Sequence, residues 1–310
     1  MNNFINFWQH IPKHINPEII HFGQFQIRYY GLMYIVAFSI IYLLVIKRMK
    51  DENFKLTKVV LQNFFVWIIM GIMIGARLGY VLIYNLNYYI HHPIEIMLPF
   101  SLTGGFHFTG LAGMSYHGGL AGIILASILF CRKNKLNFWS MADLITPAIP
   151  LGYTFGRLGN FINGELYGRV TSMPWGMYFT QDPTGQLRHP SQLYEALFEG
   201  VFLFIVLWSI RKKESLKGHF LSLYLIGYGF VRFFIEFVRE PDFQIGYITG
   251  FLTMGQILCV AMVLCGTALI IFRKRFTKKD SSPPAFLPPL IRSANQRCGA
   301  KAKAKRGGGF

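Results

Sequence analysis

Charge is scarce in this 310-residue chain, and negative charge is scarcest: 15% of the residues are charged and only 14 are Asp or Glu. Soluble domains carry about 25% charged residues, so an ordinary water-soluble fold is disfavoured. Aspartate is almost missing from the long apolar runs, where Asp143 is the exception. That argues against a metal-dependent phosphatidyl transferase, whose divalent cation needs clustered carboxylates. Cysteine is scarce too. Cys131, Cys259, Cys265 and Cys298 form neither a disulfide framework nor a metal-ligand spacing, and Cys259 and Cys265 suit buried packing. No metal or other cofactor is implied. The first 28 residues lack a basic stretch followed by an apolar one, so no cleavable signal peptide is expected.

Apolar residues are abundant: 53% of the chain is hydrophobic and 16% aromatic. Runs near the length of about 20 residues that crosses a bilayer recur over 29–46, 60–84, 110–130, 139–156, 191–210, 219–238 and 251–272. Asp143, Pro147 and Pro150 interrupt the fourth and make it the weakest. The expected fold is an all-α polytopic membrane protein with about seven transmembrane helices. Residues 1–28 read as an N-terminal interfacial arm, with Phe4, Phe7, Trp8, Phe22 and Phe25 suited to the membrane surface. Residues 29–272 read as the transmembrane domain. Residues 273–310, with SSPP and a final KAKAKRGGGF, read as a basic, disordered cytoplasmic tail able to touch anionic lipid.

A net charge of +17 invites a nucleic-acid reading, but its distribution argues against nucleic acid. Most of the basic residues follow the first, third and fifth runs or lie beyond the seventh. The positive-inside rule makes that side cytoplasmic, with the N-terminus outside and the C-terminus inside. Lys13, Arg28, Arg77, Arg157, Arg169, Arg188, Arg232 and Arg239 fall elsewhere, and all but Lys13 are arginine. Topology signalling accepts lysine or arginine, whereas forked recognition of phosphate prefers arginine. The outer half therefore reads as built to hold an anionic group.

The chain is organised around Tyr153–Arg169, YTFGRLGNFINGELYGR, where four glycines alternate with Arg157, Asn160, Asn163, Glu165 and Arg169. Such a density of polar side chains among glycines points to a binding segment rather than a plain loop. It opens an exoplasmic segment of about 157–190, in which MPWGMYF suits a strand and DPTG a turn, giving a small exoplasmic subdomain. In the second run, Gly71, Gly75 and Gly79 form a close-packing stripe. Arg77, Tyr80 and Tyr84 lie on the opposite face, where Arg77 either reaches the headgroups or binds a ligand. His117, flanked by Gly118 and Gly119, is favoured over His107 as a general base, because imidazole changes charge near neutral pH. Gln192, Glu195 and Glu199 share a helix face, and glutamates inside a membrane call for arginine partners. Tyr228, Arg232, Glu236 and Arg239 form a stripe that supplies them, unless Arg232 and Glu236 only hold the bundle together.

These features fit an enzyme acting on a phospholipid, or a transporter or flippase for an anionic lipid or solute. The transporter reading lacks the paired repeats or symmetrically broken helices common in that class. The segment GRLGNFINGELYG (156–168) resembles the signature of bacterial prolipoprotein diacylglyceryl transferases. RYYGLMY, HGG at His117, HPSQLYE (189–195) and RFFIEFVREPD (232–242) also look like that family, over roughly residues 20–275. The resemblance implies an inner-membrane enzyme with its active site toward the exoplasmic side. Its partners would be phosphatidylglycerol, preprolipoprotein signal peptides with a lipobox cysteine, and membrane lipid. It would move the diacylglyceryl group to the cysteine thiol, forming a thioether and releasing glycerol phosphate. Arg157 would hold the headgroup, and Arg157 with Arg232 would stabilise the leaving phosphate. Asn160 and Glu165 would orient headgroup hydroxyls or the arginines, and Gly168 would allow close backbone approach. Tyr30 and Arg239 match positions regarded as functional in the family. His117 is the favoured base for the thiol, with Tyr30 or the substrate phosphate as alternatives.

Overall fold

A computed structural model of the chain describes residues 2–22, 25–96, 100–101, 107–108, 113–240, 248 and 252–277. Most of the 273–310 tail and much of the stretch leading to His117 lie outside them. The chain divides into two compact units, one of residues 1–52 with 142–282, the other built on residues 53–141.

The first unit opens with α1 (Asn2–His14) and an antiparallel hairpin of β1 (Glu18–Phe22) and β2 (Phe25–Arg28). Then follow α2 (Tyr29–Asp51) and, after the second unit's α3 (Lys58–Tyr84), α4 (Leu86–His91), short strands β3 and β4 at 100–101 and 107–108, and α5 (Tyr116–Lys133), the broken pair α6 (Phe138–Ile145) and α7 (Ile149–Asn163). A further rod comprises α8 (Ser191–Tyr194), a π-helical segment Glu195–Phe202, and α9 (Leu203–Ile210); α10 (Phe220–Ile235) and α11 (Met254–Thr277) complete the unit. Among the described residues, four stretches are long and apolar enough to cross a membrane: Tyr29–Asp51, Lys58–Tyr84, Ser191–Ile210 and Met254–Phe272. α10 is apolar but shorter. Their large apolar side chains, Leu43, Val66, Ile83, Ile205 and Leu264 among them, are exposed. Helices that present such surfaces need a lipid environment.

The interruption foreseen in the fourth run is real, and it has a purpose. Pro147 lies in a one-turn 3₁₀ segment between α6 and α7, where a missing N–H and a fixed φ bend the rod. Asp143, buried, accepts the backbone N–H groups of Gly218 at 2.9 Å and Phe220 at 3.0 Å. The carboxylate thereby caps the start of α10, a position that favours negative charge. Beside it, fully buried Arg48 of α2 donates to the Asp143 and Leu144 carbonyls and pairs with Glu52 at 2.8 Å. This polar knot ties α2, α6 and the start of α10 together.

α7 runs through Asn163, beyond the end near 156 expected from the apolar pattern. Gly156 and Gly159 weaken helix propensity, but Gly159 lets the helix pack on Tyr30 and Met33 of α2. α7 ends at Gly164, whose φ of +71° and bonds to the Asn160 and Phe161 carbonyls make a left-handed cap.

Residues 164–190 fold over a small core of Phe161, Met177 and Phe179. The strand expected at MPWGMYF is absent: Pro174 and Trp175 form a turn, and only isolated bridges remain, such as Met177 with Arg188. DPTG does turn, with Gly185 N–H donating to Asp182 O at 3.2 Å. α1 docks on this segment. Trp8 Nε1 donates to Trp175 O at 3.0 Å, and Tyr178 N to Gln9 O at 2.8 Å. Trp8 therefore faces protein, while Phe4 and Phe7 stay exposed.

In the second unit, α3 and α5 approach so closely that a Cβ on Gly75 would lie 2.4 Å from Gly118 O. The glycine stripe is thus a packing seam. On the other face, Arg77 donates to Glu95 O at 2.7 Å, Ile96 O at 2.9 Å and Gly113 O at 3.4 Å.

Asp182 is buried, which by itself would raise its pKa. Hydrogen bonds from Arg188 (2.8 and 3.1 Å) and Thr184 overcome that and bring it from 3.8 down to about 2. A carboxyl lowered in the folded state contributes stability above its unfolded value, and that contribution is lost as the pH falls through the folded one. The 164–190 fold is therefore expected to loosen between pH 4 and pH 2, read by Trp fluorescence or limited proteolysis. Asp182→Asn should be less stable at pH 7 and lose that acid transition.

Candidate active site

The polar face of α7 meets the π-helical segment. Arg157 leaves α7 with Nε 2.6 Å from both the Tyr153 hydroxyl and Glu195 Oε2, and its guanidinium lies 4.9 Å from the Tyr153 ring centroid. Nη1 donates to Asn160 Oδ1 at 3.2 Å. Nη2 has no hydrogen-bond partner among the described residues, and the side chain keeps 17% exposure. Asn160 passes the connection on, its Nδ2 donating to Glu165 Oε1 at 2.8 Å, which Asn163 Nδ2 also reaches at 3.3 Å. Arg157, Asn160 and Glu165 thus form one relay along the end of α7. Tyr30, at the start of α2, packs on Gly159 and hydrogen-bonds Tyr34 at 2.9 Å.

Gln192 is fully buried, and its Nε2 donates to Glu165 O at 2.7 Å. It shapes the turn that presents Glu165. Ser191 Oγ donates to the next carbonyl, Leu166 O, at 3.0 Å, helping hold Leu166 at φ 58°, a strained value for a side chain with a Cβ.

The widened turn of the π-helix starts at Glu195, and such turns recur at functional sites. Glu195 and Glu199 are both buried and point to the same side. Arg232 of α10 meets Glu195 at 2.8 Å, Glu199 at 3.4 Å and Glu236 at 2.9 Å. Tyr153 donates to Glu199 as well. The expected pairing of the two membrane glutamates with arginine holds, and so does the internal Arg232–Glu236 pair. Glu236 also accepts from Thr253 Oγ1 at 3.1 Å, where Thr253 and Gln256 make a reciprocal capping box at the start of α11.

Gly168 brings in Arg239. Its N–H donates to His189 O at 2.8 Å, and Arg169 N–H donates to Val238 O at 2.9 Å, so Gly168 and Arg239 form a bridge. A Cβ on Gly168 would lie 2.4 Å from Val238 O, so the close approach allowed by this glycine is to the chain itself. Arg169 Nε donates to Arg239 O at 2.8 Å. The Arg239 guanidinium, 16% exposed, is 3.9 Å from Glu195 and makes no hydrogen bond among the described residues. Arg157 and Arg239 therefore keep open donors, while Arg232 is occupied by three carboxylates.

The remaining expected residues belong to the second unit. Arg77 is held by backbone carbonyls, and the Tyr80 ring packs where Gly113, at φ +74°, passes. His117 is exposed on the first turn of α5, which Ser115 caps through Gly118 N at 3.2 Å. Its ring nitrogens carry no hydrogen bond among the described residues. Tyr153 is the participant that the sequence reading missed. An aromatic residue in an apolar helix carries no signal of its own, although its spacing of four from Arg157 could have pointed to it.

The family profile described as "Prolipoprotein diacylglyceryl transferase" matches residues 17–272. A phosphatidylglycerol–prolipoprotein diacylglyceryl transferase of Chlorobaculum tepidum is 50% identical over 89% of this chain and 96% of that protein. Proteins of the same name from Campylobacter hominis and Campylobacter jejuni are 44% and 43% identical, each over 86% of this chain.

Proposed function

The chain belongs to the prolipoprotein diacylglyceryl transferase family, and from that premise we propose that it transfers the diacylglyceryl group of phosphatidylglycerol to the lipobox cysteine of preprolipoproteins, the first step of lipoprotein maturation. The observation that carries this reading is the Arg157–Asn160–Glu165 relay, which offers an open guanidinium donor next to a carboxylate bound on one oxygen. A phosphodiester headgroup bearing hydroxyls needs that combination: donors for the phosphate and an acceptor for the hydroxyls.

The thiol loses its proton to a base, and the sulfur attacks the glyceryl carbon that bears the phosphate ester. A C–S bond forms and the C–O bond breaks, with its electron pair going to the phosphate, which leaves as glycerol phosphate. Arg157 and Arg239 hold that phosphate and its growing charge. Arg232, expected beside Arg157 at the leaving phosphate, is engaged by Glu195, Glu199 and Glu236, and with Glu236 it acts by keeping Glu195 and Glu199 in place around them. Tyr30, Asn160 and Glu165 orient the headgroup, Gly168 carries Arg239 to the site, and Gln192 fixes the Glu165 turn. His117 is the base, and Arg77 and Tyr80 steady the backbone that leads into its helix. Its exposure and free ring nitrogens support that assignment.

The protein would span the bacterial inner membrane about seven times. Residues 1–28 would form the interfacial arm, residues 29–272 the catalytic domain with an exoplasmic segment at about 157–190, and residues 273–310 a cytoplasmic tail. The basic loops support an outside N-terminus and an exoplasmic site. The same distribution supports phospholipid and signal peptide as partners, and not nucleic acid.

The direct test uses purified protein in detergent with phosphatidylglycerol labelled in its acylated glycerol and a synthetic lipobox peptide. The expected product is a thioether peptide with release of glycerol phosphate, and none with a Cys→Ser peptide. Lipid binding without transfer by folded protein would favour a transporter instead. Arg157→Lys should raise KM for phosphatidylglycerol about tenfold or more, because a point charge replaces a fork; an unchanged KM would remove Arg157 as the headgroup clamp. His117→Asn should bind phosphatidylglycerol normally and lower kcat about 100-fold or more; normal turnover would remove His117 as the base.

A further inference from the structure

Glu195 has surroundings that no other carboxylate among the described residues of the first unit shares. It is 1% exposed, and three arginines meet it: Arg157 Nε at 2.6 Å, Arg232 Nη1 at 2.8 Å and Arg239 Nε at 3.9 Å. The other two glutamates of the cluster are placed differently. Glu199 meets Arg232 and Tyr153, and Glu236 meets Arg232 and Thr253. Only Glu195 contacts both arginines that keep open donors. A fixed anion already stands at the focus of these guanidinium groups, and a bound phosphate must share their field with it.

We propose that Glu195 is a built-in counter-anion that makes the site hold a doubly charged phosphate monoester less tightly than a singly charged diester. The inference rests on the transfer reading, in which the substrate is a diester and the product a monoester. A phosphate monoester carries about −1.5 to −2 charges at pH 7, and the diester carries one. Repulsion by a buried carboxylate grows with the charge on the ligand and is poorly screened away from water. Three arginines around Glu195 face three glutamates, and the Glu165 carboxylate stands at the end of the Arg157 relay, so the site has no excess of positive charge when empty and is most negative when it holds the product. An unopposed arginine cluster would do the reverse, retaining the dianion and making its release limit turnover. Glu195 is thus a positioning and specificity residue that acts through Arg157 and Arg239.

The test compares two small headgroup mimics at pH 7.5 on the full chain in detergent: glycerol phosphate, and its methyl diester. Each is titrated as an inhibitor of the transfer assay and as a thermal-shift ligand. The unsubstituted protein is expected to bind the diester more tightly than the monoester. Tighter binding of the monoester would overturn the proposal, and this comparison needs no variant. In Glu195→Gln the order should reverse, with glycerol phosphate gaining about tenfold or more in affinity and KM for phosphatidylglycerol changing less. kcat should fall behind a first-turnover burst. Glu195→Asp keeps the charge and should retain the original order, which separates loss of charge from loss of packing. Glu199→Gln should change the order less than Glu195→Gln. A folded Glu195→Gln protein with unchanged preference would refute the inference. Absence of transfer by the unsubstituted protein would instead sink the functional reading, while the two binding titrations would still report on Glu195.

Discussion

A charged group removed from water must find its counter-charge inside the protein, and in this chain that requirement converges on Glu195. Its carboxylate joins α7, the π-helical segment, α10 and the segment carrying Arg239. Losing one member of a buried ion pair costs about 3–5 kcal/mol, because the partner is left unmatched. The cluster therefore fixes how these elements meet, more strictly than interchangeable apolar contacts among lipid-facing helices would. It also sets the site's electrical balance.

The arginines divide by what their donors meet. The forks of Arg48, Arg77 and Arg188 engage backbone carbonyls or carboxylates close by. Arg232 is engaged by carboxylates alone. Arg157 and Arg239 differ in keeping N–H groups without a hydrogen-bond partner among the described residues. Residue type alone does not separate these classes. The donor inventory does, and it needs three-dimensional neighbours.

That limit explains what could be read in advance. The helix positions were legible because apolar length and punctuation are local, and the pairing of Glu195 and Glu199 with arginine followed from the cost of a lone buried charge. The extent of α7 was not legible, since Gly156 and Gly159 resemble a loop until Tyr30 and Met33 are seen packed against the helix. Arg77 left a ligand reading open because its partners include the backbone carbonyls of Glu95 and Ile96, and a carbonyl leaves no side-chain signature in the sequence. Trp8 looked like a lipid anchor because Trp175 and Pro174, which receive α1, lie far along the chain. Gly168 was singled out correctly as a point of close approach, but only the fold names Val238 as the neighbour.

The order of these elements along the chain bears on how the protein enters the bilayer during synthesis. α7, with Tyr153 and Arg157, emerges before the rod that carries Glu195 and Glu199, and Arg232 emerges last. An isolated helix with two glutamates would resist leaving the translocation channel for lipid. Entering together with α7, it presents carboxylates already matched by a guanidinium and a phenol. α10, short and burdened with an arginine, then arrives at a face where its counter-charges are waiting. The residues that shape the site thus supply one another's counter-charges in the order in which the chain is made.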